Sequence, residues 1–121
     1  MKFLLSCITF DDPNERAERW RTDRFAAARP LYELFNSNCS KYYYPSEYLT
    51  IDETLYPMRH QIAFRQYNPN KPHRYGLLVK SLNDAELPFT YKTVPYAGKP
   101  EAGDGPYCID STENYVKYLV N

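Results

Sequence analysis

Positions 3–10 are mostly apolar, a stretch that fits either a helix or a strand. Asp11-Asp12-Pro13-Asn14 then reads as a turn in which Asp12 or Asn14 can cap a following helix. Residues 14–24 are mostly charged and are expected to form a solvated segment. Phe25, Ala28, Leu31, Tyr32 and Phe35 recur at spacings of three and four, one stripe of an amphipathic helix. Proline is tolerated in a helix only within the first turn, so Pro30 places this helix at about 29–39. Residues 41–46 break the pattern and read as a linker.

The period then changes from helical to extended. Residues 48–56, rich in β-branched and aromatic side chains, predict a strand, and 63–67 a short second one. Residues 68–74 form a loop with two prolines, and the near-continuous apolar run at 75–82 predicts a buried strand. Asn83-Asp84-Ala85-Glu86 reads as a turn and 89–96 as a fourth strand. Gly98, Pro100, Gly103, Gly105 and Pro106 interrupt residues 97–106. Ser111 or Thr112 caps a last helix over about 111–120, with Tyr115, Val116, Leu119 and Val120 on one stripe. The expected fold class is α+β: N-terminal helices, a set of antiparallel strands in sequence, and a closing helix. One closing helix and one N-terminal helix are not expected to cover both sheet faces fully.

Composition narrows this picture. At 121 residues the chain has room for one domain. Thirteen tyrosines and zero formal net charge exclude a highly charged disordered tail. Four glycines and ten prolines without period exclude collagen and coiled coil. No apolar run approaches the roughly 18 residues of a membrane span. Residues 1–10 mimic a short signal peptide but lack a small-residue cleavage site before Asp11. Cys7, Cys39 and Cys108 are odd in number and widely spaced, which fits an intracellular reducing compartment and small core residues rather than a disulfide framework or zinc site.

Charge is unevenly placed. Residues 1–58 carry net −2 and residues 81–121 net −3, whereas 59–80 hold Arg59, Arg65, Lys71, Arg74 and Lys80 and no acid. Tyr67, Tyr75, His60 and His73 lie among these cations, a mixture that suits a phosphate backbone and equally an ordinary solvated hairpin face. Asp52 is the other candidate. Alternation places it with Thr50 and Thr54 on one strand face, where a carboxylate must be exposed, paired or bound to a metal. His60 and His73 have no metal-ligand spacing, and no phosphate loop, nucleophile elbow or kinase signature is present.

The stretch from Tyr44-Pro45 through Leu49-Thr50-Ile51-Asp52-Glu53, followed by Phe64-Arg65-Gln66-Tyr67-Asn68-Pro69-Asn70-Lys71-Pro72-His73-Arg74-Tyr75-Gly76, resembles the piggyBac transposase family. That family shows a tPgxxLtIDEqLxxFRGRcpFRxYxPxKPxKYG pattern here. Phe3 through Asp12 resembles its RFxxLxxxLRFDD segment, and Tyr96-Ala97-Gly98-Lys99 its pYxGk element. The resemblance implies an RNase H-like core and Mg²⁺-dependent DNA cleavage and joining, with DNA as partner, a nuclear location and a possible homodimer in the full family protein. It maps the first catalytic aspartate and metal ligand onto Asp52, and it supports DNA contacts from Arg59, Arg65, Lys71, Arg74 and Tyr67. Residues 1–45 would be part of a helical dimerisation and DNA-binding domain, and 46–121 the first half of the catalytic core.

The departures are specific. The family's FRGRCP reads Met58-Arg59-His60-Gln61-Ile62-Ala63, which removes a glycine turn and one cation. The later catalytic aspartates are expected beyond Asn121, and Asp84 and Asp110 do not occupy matching positions. A single carboxylate cannot hold two divalent ions, so the chain is expected to be a truncated relative without cleavage activity alone. The alternatives are a domesticated DNA- or protein-binding module without chemistry and a poorly folded relic whose open sheet edge and exposed Leu77, Leu78 and Val79 favour aggregation.

Overall fold

The computed structural model describes residues 2–9, 11–99, 107–109 and 111–121. Its elements are α1 (Lys2–Cys7), α2 (Pro13–Thr22), α3 (Arg29–Tyr42), β1 (Leu49–Pro57), β2 (Gln66–Tyr67), β3 (Tyr75–Asp84), β4 (Thr90–Pro95) and α4 (Thr112–Val120). The fold is α+β, as expected. Of the breaker-rich stretch 97–106, residues 100–106 lie outside the described residues, as does Asp110.

Four boundaries differ from expectation. The second strand, expected over 63–67, is limited to Gln66–Tyr67, because only these two residues find partners on β3. The charged stretch after Asp12 is helical. The Asp12 side chain caps α2 by accepting from the Asn14 N–H at 2.9 Å, Pro13 opens the first turn, and Asp11 pairs with both Arg16 and Arg19. These local contacts form a helix that buries no residue. α3 begins where Pro30 requires and runs on through Tyr42, leaving a shorter linker. β3 continues through Asn83 and Asp84, which were expected in a turn.

β3 is the centre of the sheet. β1 pairs antiparallel along its whole length, from Leu49↔Asp84 to Pro57↔Gly76. The other edge of β3 is shared by β2 at its start and β4 along its second half. Consecutive β1 and β2 therefore do not pair. Gly76 sits between Pro57 and Gln66, where a Cβ would meet the Tyr56 carbonyl oxygen at 2.0 Å. Only glycine allows β1 to lie this close to β3.

The two faces of the sheet are covered by different helices. Leu82 and Val94 pack with Tyr115 and Leu119 of α4, whose N-cap Ser111 accepts from the Asn114 N–H. On the other face, Tyr32 and Phe35 of α3 approach Tyr56, Leu77 and Val79. Asn36 fixes α3 to the outer edge of β4. Its Nδ2 donates to the Thr93 carbonyl at 2.8 Å and its Oδ1 accepts from the Thr93 N–H at 3.0 Å, as a neighbouring strand would do. Phe25, Tyr32, Phe64 and Tyr107 meet edge to face, with Phe25–Tyr107 centroids 5.4 Å apart, so this N-terminal segment shares one core with the sheet. Val79 is buried and Leu77 and Leu78 are half-buried, contrary to the expectation of exposure. Cys7 is exposed and Cys39 and Cys108 are half-buried, so none is a fully buried core residue.

Candidate metal-ligand cleft and basic face

Asp52 lies in mid-β1, opposite Ser81, with its carboxylate exposed. It lines a cleft with Thr54, Ser81, Asn83, Thr90 and Thr93, the strand face that alternation assigns to it. Its Oδ1 accepts the Glu53 N–H at 2.7 Å, and Oδ2 has no partner among the described residues. The polar floor is fixed internally: Thr90 Oγ1 donates to Asn83 Oδ1 at 2.8 Å and Asn83 Nδ2 donates to Ser81 Oγ at 3.0 Å. Sequence reasoning missed these three residues. The pairing of Asp52 with Ser81 was the available signal, but it requires knowing that β1 skips β2.

Asp84 lines the other end of the same cleft and cannot serve as a second ligand. Its two oxygens accept from the Ser46 N–H and Oγ, the Tyr43 hydroxyl, and the Glu86 and Leu87 N–H groups. The Ser46 backbone donor, followed by the other donors, holds this carboxyl far below its ordinary 3.8 despite its burial. The group is structural: it anchors the 43–46 segment to the end of β3. Among the described residues there is no cluster of three His, Cys, Asp or Glu side chains able to hold a metal. The residues present therefore do not complete a divalent-cation site; Asp52 offers one ligand of the several that such an ion needs.

The basic tract divides into two parts. Arg59, Arg65, His73, Arg74 and Tyr75 line one open cleft beyond the end of β1. The Arg65 guanidinium lies 4.9 Å from the Tyr75 ring centroid, and Tyr67 lies 4.8 Å from Tyr75 across the strand pair. Lys71 folds away from this cleft, its Nζ donating to the Glu53 carbonyl at 3.1 Å. Lys80 is buried on the α4 face, paired with Glu53 at 3.2 Å and lying over the Tyr115 ring. Its position one residue from Ser81 requires this, because alternate strand residues face opposite sides. Among the predicted DNA-contacting residues, the structure brings together Arg59, Arg65 and Arg74, with Tyr67 beside them through Tyr75, and separates Lys71.

Asp52 thus stands exposed near the middle of an edge strand of an antiparallel sheet packed against helices. The Transposase IS4 family matches residues 2–121, and the chain belongs to that family. A solved structure of a piggyBac transposase synaptic complex with hairpin DNA is similar to it, at 34% identity and a TM-score of 0.83 over 98% of this chain. The chain spans about a quarter, 24%, of that transposase chain. No curated protein matches it. The resemblance read from the Ile51-Asp52-Glu53 and Pro69-to-Gly76 motifs thus holds in sequence and in fold. The family's acidic chemistry implies a divalent metal, and DNA is the partner in the similar structure.

Proposed function

We propose that this chain carries the DNA-holding face and the first acidic ligand of a DDE-type transposase core, and that it does not cleave DNA by itself. The observation that carries this reading is the contrast within one cleft: Asp52 presents a free carboxylate oxygen, whereas Asp84 is saturated by its own fold. With one ligand there is no pair of metal ions to activate an attacking water and stabilise a leaving oxygen. Arg59, Arg65 and Arg74 supply the phosphate contacts of this reading. Its Mg²⁺ use, nuclear location and pairing of two copies derive from the family resemblance.

Two measurements test it. Labelled duplex DNA incubated with the chain and Mg²⁺ or Mn²⁺ should remain uncut; nicking that disappears in Asp52→Asn would overturn the claim of inactivity. Duplex affinity should fall with salt, and Arg59→Ala or Arg74→Ala should each reduce the log–log slope by about one. Binding that is absent at low salt would remove the DNA-holding role and favour a protein-binding module.

A further inference from the structure

The basic face has too few free cations to act as a duplex clamp. Lys71 is turned onto β1 and Lys80 is buried, which leaves Arg59, Arg65 and Arg74. Each phosphate contact adds about one unit to the salt dependence of binding, so three arginines give a much weaker electrostatic hold than a protein with about 6–10 contacts. The surface has a different resource. Tyr67 and Tyr75 are each 53% exposed although their rings are in contact, and Arg65 lies over Tyr75. Two half-exposed rings beside a guanidinium offer flat π surface among cations. A base within a duplex has both faces covered by its neighbours, but an unpaired base can stack on such a surface.

We propose that Tyr67, Tyr75 and Arg65 form a stacking platform for an unpaired nucleotide at the end of a DNA duplex, while Arg59 and Arg74 hold its phosphates. The proposal rests on the DNA-holding role above and names the form of DNA that the site takes. Its placement fits. Pro57, which pairs with the residue after Tyr75, is five residues along β1 from Asp52, about 17 Å at ~3.4 Å per residue. A stacked strand rises ~3.4 Å per nucleotide, so the platform lies about five nucleotides from the aspartate cleft. The same rings also pair across the β2–β3 ladder, so the test must separate stacking on DNA from support of the hairpin.

The whole 121-residue chain is titrated by fluorescence anisotropy against a blunt duplex and the same duplex with a three-thymine overhang. The expected result is roughly tenfold tighter binding to the overhang. Tyr67→Leu should abolish that preference, Tyr67→Phe should keep it, and Arg59→Ala should weaken both ligands equally. Equal affinity for the two duplexes, or a preference untouched by Tyr67→Leu, would overturn the platform and leave the DNA-holding role intact. Failure to bind either duplex would overturn both. Should Tyr67→Leu lose its circular dichroism signal, the wild-type chain is photo-crosslinked to a 5-iodouracil overhang. Adducts on Tyr67 or Tyr75 would support the platform, and adducts confined to other residues would overturn it.

Discussion

β1 and β3 run side by side over nine paired positions, yet they are opposite kinds of strand. β3 is hemmed in on both edges, and its ends are fixed by Gly76 against the Tyr56 carbonyl and by Asp84 with five donors. β1 is exposed at every residue except Leu55, and its Asp52 carboxylate makes one hydrogen bond, to its neighbour's N–H. Two aspartates line one cleft, one spent on structure and one left available. A mid-strand carboxylate identifies a site only when the fold leaves its oxygens free, and Asp84 shows how completely a fold can use them.

The largest test of this asymmetry is Gly76→Ala. A Cβ 2.0 Å from a backbone oxygen must push β1 away from β3, at a cost of about 3 kcal/mol. Urea unfolding should show it; a loss below about 1 kcal/mol would mean that the strands are loosely joined. Asp84→Asn comes next, since an amide offers two donors where five donors already point. Its thermal midpoint should drop by several degrees. Because the folded carboxyl sits below the ordinary 3.8, its stabilisation is fully present above that value and is lost as pH falls through and below it. Acid titrations should therefore be flatter in Asp84→Asn than in the wild type between about pH 5 and 2.

Asn36→Ala is expected to cost about 2 kcal/mol, because it leaves the N–H and carbonyl of buried Thr93 without their partner. Amide exchange at Thr93 should quicken more than at Leu82. The smallest effect belongs to Asp52→Asn, within about 0.5 kcal/mol by the same unfolding measurement. A large loss there would show that Asp52 is structural after all and would dissolve the contrast with Asp84.

Features set by nearby residues were legible. Pro30 fixed the start of α3, Asp12 and Ser111 capped their helices, and alternation placed Asp52 on the correct face. α2 was not legible from periodicity, because its cap and its Asp11–Arg16 and Asp11–Arg19 pairs stabilise it without any apolar stripe. Asp84 was read as a turn residue because its decisive donors, Tyr43 and Ser46, lie 41 and 38 positions away. Lys80 was grouped with the exposed cations although strand parity turns it toward α4. The significance of Asp52 came from the motif around it and not from its pattern alone.

The Asn36 clip has a consequence for how copies of this chain can associate. A sheet propagates into a fibre only if each unit offers two open edges. The Thr93 groups on the outer edge of β4 are already occupied by the α3 amide, so the long exposed edge among the described residues is that of β1. There, Lys71 and the Asp52 carboxylate already take the carbonyl and N–H of Glu53. Pairing through β1 would join two molecules about a two-fold axis and then stop, because the described residues offer the pair no second long edge to extend. A single helical asparagine thus makes strand-mediated association self-terminating.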